Sequence, residues 1–188
     1  MKGPGPESNA SPAAASGLPS GPIVLVGLSG AGKTAVGRLL ASRLAWSFLD
    51  LDLEVERIAG CSIPDLFARE GERVFRDLEG QVTRSAHALS GTVVSTGGGW
   101  MARPELRDTW PDATRVWLRV EPDLALSRLA QERSSRPLLA GPDPESKLRK
   151  LLAERIPVYR LAEIEVRTDG LSPEAVVDAI VDSLVEGG

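Results

Sequence analysis

Cysteine is nearly absent. Cys61 stands alone in 188 residues, so no intrachain disulfide can form, and a reducing, cytoplasmic setting is expected. No basic partner lies beside it in the sequence, which reads as a small linker residue rather than a nucleophile. Histidine occurs once, as His87, mid-helix and away from every motif, so a structural or surface role is expected for it. No apolar run approaches the roughly 20 residues that span a bilayer, and the N-terminus lacks the basic cluster and apolar stretch of a secretory signal. A basic excess is missing too. The net charge is −4, which argues against general binding to nucleic acid or to a membrane surface. Lysine is scarce at four against 18 arginines. Most of that bias reads as composition, but a few placed guanidinium groups have the fork geometry that grips phosphates and carboxylates.

What is present suits one globular domain with its own core: 42% apolar and 26% charged residues. Residues 1–22 hold 17 Gly, Pro, Ala or Ser and read as a disordered tail. Residues 23–188 read as a single domain. Ile23-Val24-Leu25-Val26 is a continuous apolar run, the pattern of a strand buried on both faces. A helix follows with Val36, Leu39, Leu40 and Leu44 on one stripe. Further strands are expected over 46–49, 92–96, 115–120 and 164–166. Helices are expected over 52–59, from Ser62 through Phe67, over 72–89, 122–129, 144–155 and 173–184, with a short one opened by Pro104. Residues 131–142 are rich in polar residues, Gly and Pro, and read as a mobile loop. Strands alternating with helices imply a five-stranded parallel sheet covered on both faces, a three-layer α/β/α architecture. Ligands in such folds sit beyond the carboxyl ends of the strands.

Gly27-Leu28-Ser29-Gly30-Ala31-Gly32-Lys33-Thr34 matches G-x-x-x-x-G-K-[ST] between an apolar strand and an amphipathic helix, the context that confirms a phosphate-binding P-loop. Its glycines let backbone N–H groups point inward, and the following helix adds its positive end. Lys33 is placed to reach the β and γ phosphates and Thr34 to offer a hydroxyl to Mg²⁺. Asp50 and Asp52 end the second strand. They either divide between the metal and an acceptor hydroxyl or cap the next helix.

The ordered set of Gly30-Ala31-Gly32-Lys33, Leu49-Asp50-Leu51-Asp52, Gly71-Glu72-Arg73-Val74-Phe75-Arg76, Thr96-Gly97-Gly98-Gly99, Arg136-Pro137-Leu138-Leu139 and Arg155-Ile156-Pro157-Val158-Tyr159 resembles the shikimate kinase family, a compact branch of the nucleoside-monophosphate-kinase-like P-loop proteins. The resemblance runs from about Ile23 to the C-terminus. It implies ATP-dependent phosphorylation of the 3-hydroxyl of shikimate, with Mg²⁺, in aromatic amino-acid biosynthesis. It implies that Gly30, Ala31, Gly32, Lys33, Thr34, Ala35, Arg128 and Arg136 meet ATP, and that Arg136 sits on a lid over about 131–142. Asp52 would hold the acceptor hydroxyls as candidate base, and Asp50 would order Mg²⁺ through water. Arg76 and Arg155 would grip the carboxylate, Glu79 would fix Arg76, and Gly97, Gly98 and Gly99 would offer backbone contacts to the ring.

Trp100 and Met101 follow those glycines, where a small or β-branched residue is expected. An indole there either narrows the acceptor pocket or points into the core. Two other readings share the P-loop: a kinase for an open-chain acid such as gluconate, and a regulator that binds nucleotide without catalysis. A GTPase is disfavoured, because no N-K-x-D motif occurs. A monomer is expected.

Overall fold

The computed structural model describes residues 18–86, 89–131 and 143–186. Five strands form one parallel sheet: β1 (Ile23–Val26), β2 (Ser47–Asp50), β3 (Thr92–Ser95), β4 (Thr114–Arg119) and β5 (Ile164–Arg167). Their spatial order is β2-β3-β1-β4-β5. β1 lies in the middle, and all four of its side chains are fully buried, which is why its sequence is apolar without alternation. The chain leaves β1 toward β2 on one side and leaves β3 toward β4 on the other. The adjacent carboxyl ends of β1 and β3 therefore form the switch point of the sheet, where a crevice opens. Leu25 pairs with Ser95 across that junction, and Leu25 O accepts both Thr96 N (3.3 Å) and Thr96 Oγ1 (2.9 Å). This clamp holds the P-loop and the three-glycine loop side by side.

The helices are α1 (Lys33–Leu44), α2 (Leu51–Ala59), α3 (Ile63–Ser85), α4 (Pro104–Arg107), α5 (Pro122–Gln131), α6 (Pro144–Tyr159) and α7 (Pro173–Glu186), with a 3₁₀ turn at Trp100–Ala102. On α1 the buried stripe is Val36, Gly37, Leu40 and Ala41; Leu39, assigned to that stripe by spacing, is 38% exposed. The helix expected from Ser62 and the one expected over 72–89 form a single element broken at Gly71 (φ 81°, ψ 174°) and ending at Ser85, four residues early. Ser62 caps it as expected, its Oγ accepting Asp65 N at 3.2 Å. α6 runs on through Pro157 to Tyr159, one turn beyond the expected end. Residues before Ile23 also join the domain: Gly21 and Pro22 are buried, Pro22 O accepts Thr114 N at 2.9 Å, and Leu18 packs on the core. Gly21 and Pro22, expected in the tail, instead pack with the domain, because Pro22 continues the pairing of β1 with β4. Residues 1–17, His87 and the segment 132–142 lie outside the described residues.

Gly71 lets α3 change direction, so that the half carrying Arg76 and Glu79 packs toward the switch point. Its backbone conformation is almost closed to residues with a Cβ. Gly71→Ala is expected to lower stability by about 1–3 kcal/mol in urea unfolding; an unchanged midpoint would show that the break is not fixed by this residue.

Candidate functional site

The P-loop curls around the nitrogen of its own lysine. Lys33 is buried, and its Nζ donates to Gly27 O (2.9 Å) and Leu28 O (2.8 Å). Gly30, Gly32, Lys33, Thr34 and Ala35 line one polar cavity with Ser29, Asp52, Ser95, Thr96 and Gly98. Ala31 is buried behind it. Gly30 and Gly32 take positive φ values of 81° and 87°, which turn the loop so that α1 starts facing the cavity.

Asp50 caps the next helix, one of the two readings its position allowed, and also holds the P-loop threonine. Its Oδ1 accepts Asp52 N (3.1 Å) and Leu53 N (3.3 Å) and so caps α2. Its Oδ2 accepts the Thr34 hydroxyl at 2.7 Å. Asp52 belongs to the first turn of α2 rather than to the strand end, and it lines both the polar cavity and its neighbour.

That neighbour is a second cavity. Asp52, Arg76, Gly97, Gly98, Gly99 and Arg155 line it, against an apolar wall that includes Phe67, Phe75 and Leu148. Charged groups press closely on the three-glycine loop, so that side chains added there would have to push them aside. A Cβ on Gly97 would lie 2.8 Å from Glu79 Oε1 and 3.0 Å from Asp52 Oδ1. One on Gly99 would lie 3.0 Å from Arg76 Nη1, and one on Gly98 3.3 Å from Arg155 Nη1. Two guanidinium groups, from α3 and α6, thus flank one loop.

Arg76 is held from both sides. Glu72 Oε1 accepts its Nε and Nη2 (3.2 and 3.1 Å), and Glu79 Oε2 accepts its Nη1 at 3.0 Å. Burial alone would lower the guanidinium's pKa, but Glu79 and Glu72 outweigh it and the net direction is up. Glu79 is buried, and that burial pushes its carboxyl above the ordinary value. Arg76 and Arg103 pull the other way, and the charge of Asp52 adds to the rise. Arg103 was not singled out by sequence reasoning. Its Nη1 donates to Arg76 O (2.9 Å) and Glu79 Oε2 (3.3 Å), tying the segment after the glycines to α3. An isolated arginine before Pro104 carries no signal of that role.

Trp100 points into the core. It is fully buried, its Nε1 donates to Thr83 Oγ1 at 3.1 Å, and its ring stacks on Trp110 with centroids 5.5 Å apart. It does not line the cavity of Asp52, Arg76 and Arg155. Arg128 donates to Thr168 O (2.9 Å), Thr168 Oγ1 (3.2 Å) and Gly30 O (3.4 Å), joining the P-loop to the end of β5. Arg136 lies outside the described residues.

A family model described as "Shikimate kinase" matches residues 29–185. The chain belongs to the shikimate kinase family. A shikimate kinase from Symbiobacterium thermophilum is 46% identical over 169 residues, covering 88% of this chain and 97% of that protein. One from Rhodopseudomonas palustris is 43% identical over 164 residues, covering 87% and 80%. Among solved structures, the shikimate kinase from Acinetobacter baumannii in complex with shikimate superposes with a TM-score of 0.84 at 37% identity, covering 90% of this chain and 94% of that one. A gluconokinase from Sinorhizobium meliloti reaches a TM-score of 0.54 at 17% identity, a likeness of fold alone. The parallel α/β architecture and the kinase class expected from the sequence therefore hold, as does the family.

Glu79 makes a linked pH prediction. Its carboxyl is raised in the folded chain, so the native state holds the proton more tightly than the unfolded chain. Stability then falls as pH rises from the ordinary carboxylate value of 4.5 toward the raised one. Glu79→Gln removes that term. The stability of Glu79→Gln relative to the parent, followed by urea unfolding across this range, should rise with pH; a flat difference would contradict the assignment.

Proposed function

We propose that the chain transfers the γ-phosphoryl group of ATP to the 3-hydroxyl of shikimate, giving ADP and shikimate 3-phosphate, with Mg²⁺ as the metal. The observation that carries this reading is the pair of guanidinium groups, Arg76 and Arg155, flanking a glycine loop next to a P-loop. Two forks from different helices suit a planar carboxylate. Glycine backbone with Asp52 beside it suits a ring of hydroxyls that must come close.

In this reading the triphosphate lies in the cradle of Gly30 to Ala35, with Lys33 on the β and γ phosphates. Arg128 borders the nucleotide side. Arg136 is assigned from the resemblance to the segment over 131–142, as the residue that brings positive charge to the transferring group. Thr34 and Asp50 fit Mg²⁺: a hydroxyl and a carboxylate oxygen 2.7 Å apart offer hard oxygen donors at the mouth of the cradle. Among the described residues no group of three or more His, Cys, Asp or Glu forms a cage, which suits an ion that leans on phosphate oxygens and water. Thr34 and Asp50 would hold the ion, which would supply charge neutralisation on the phosphates.

Shikimate would lie with its carboxylate between Arg76 and Arg155 and its ring against Gly97, Gly98 and Gly99. Asp52 would orient the attacking hydroxyl and take its proton as the new P–O bond forms and the bond to ADP breaks. The transition state of such transfers is loose, so orientation by Asp52 counts at least as much as its basicity. The reading takes the chain to work as a cytoplasmic monomer on two small molecules. No helix among the described residues is long and apolar enough to cross a membrane.

A coupled ADP-release assay with ATP and Mg²⁺ tests it, with no acceptor, shikimate or gluconate. Turnover is expected with shikimate alone. Arg76→Ala should raise the KM for shikimate on the order of 10- to 100-fold, the worth of a charge-assisted pair. Turnover with gluconate, or none with any acceptor, would overturn the substrate assignment.

A further inference from the structure

Tyr159 closes the Arg155-Ile156-Pro157-Val158-Tyr159 segment, and nothing in the chemistry above uses it. It is the chain's only tyrosine. It is 1% exposed, and its ring lies against Trp117, with centroids 5.6 Å apart. Its hydroxyl donates to Gly98 O at 2.6 Å, across 61 residues of sequence. The other two carbonyls of the glycine loop are taken locally: Gly97 O accepts Trp100 N (3.1 Å) and Gly99 O accepts Ala102 N (3.2 Å). Gly98 O is met by the phenol instead. Burial pushes the phenol up to about 12, with the nearby Arg155 guanidinium acting against the rise, so the group stays a neutral donor at working pH.

Arg155 and Tyr159 stand i and i+4 on α6 and therefore share a face. Both converge on Gly98, the phenol on its carbonyl and Arg155 Nη1 beside its α-carbon. We infer that Tyr159 is a positioning residue for the acceptor carboxylate: by tying Gly98 to α6 it fixes the distance between the glycine loop and Arg155, and so sets where that guanidinium points. A purely structural phenol would leave acceptor recognition untouched. A positioning one links the two sides of the acceptor site through one hydrogen bond. The inference rests on the reading that Arg155 meets the shikimate carboxylate.

Tyr159→Phe keeps the ring on Trp117 and removes only the hydroxyl. The KM for shikimate should rise roughly three- to tenfold, the worth of one neutral hydrogen bond, with kcat and the KM for ATP within about twofold. Combined with Arg155→Lys, the loss should fall short of the product of the single losses, because both act through one contact. A second readout needs no variant. 3-Fluorotyrosine incorporated throughout the chain gives one ¹⁹F resonance, which should shift on saturation with shikimate and shift far less with shikimate methyl ester. A wild-type KM in Tyr159→Phe, a fully multiplicative double variant, or a resonance that ignores shikimate or moves equally with the ester would overturn the inference. Failure of the underlying reading looks different: the parent chain itself would bind shikimate and its methyl ester equally well.

Discussion

A carboxylate taken out of water must be met by positive charge, and the acceptor side of this molecule is arranged around that demand at Glu79. The side chain is buried, and one of its oxygens, Oε1, has no hydrogen-bond partner among the described residues. The other accepts from Arg76 at 3.0 Å and from Arg103 at 3.3 Å. Such a group is costly to bury, and removing one partner from it costs more than the pair contributes. The geometry follows from that constraint. Arg76 cannot swing away without costing Glu79 the shorter of its two arginine contacts, which holds Arg76 at the cavity wall. Gly97 suits this arrangement, because Glu79 and Asp52 already approach the space that a Cβ there would need. Positioning is thereby built in before any substrate arrives, which is what a loose phosphoryl-transfer transition state rewards.

The opposite flank is held differently. Arg155 comes from α6, and its helix is anchored to the same loop through the Tyr159 hydroxyl on Gly98 O. The two arginines thus reach one cavity from separate elements. α3 is set by the break at Gly71 and by the buried ion pairs. α6 is set by its packing on Trp117 and the hydroxyl on the loop. Between them the P-loop is fixed by the Leu25–Thr96 clamp, which keeps the phosphate cradle and the acceptor cavity in register.

Much of this was legible in the chain. Ile23–Val26 had to be an interior strand, and the glycine–lysine run after it had to be a phosphate cradle, because apolar continuity and φ-permissive residues are local signals. Arg76, Asp52 and the three glycines were reachable through their ordered motifs. The contacts that were missed are long-range. Arg103 meets Glu79 across 24 residues and Tyr159 meets Gly98 across 61, and nothing at either end announces the other. The direction of Trp100 was open for the same reason: whether an indole lines a pocket or a core depends on Thr83 and Trp110, which only the fold brings near. Asp50 was open between cap and site because a carboxylate has two oxygens; here one oxygen caps α2 and the other accepts the Thr34 hydroxyl.

The most direct test of the account is a crystal structure of the chain with ADP and shikimate. The carboxylate of shikimate should lie within hydrogen-bond distance of both Arg76 and Arg155, with the ring hydroxyls against Asp52 and the glycine loop and the Arg76–Glu79 pair unbroken. A ring bound the other way round, or an Arg76 that leaves Glu79 to reach the ligand, would contradict the claim that the acceptor grip is built in advance.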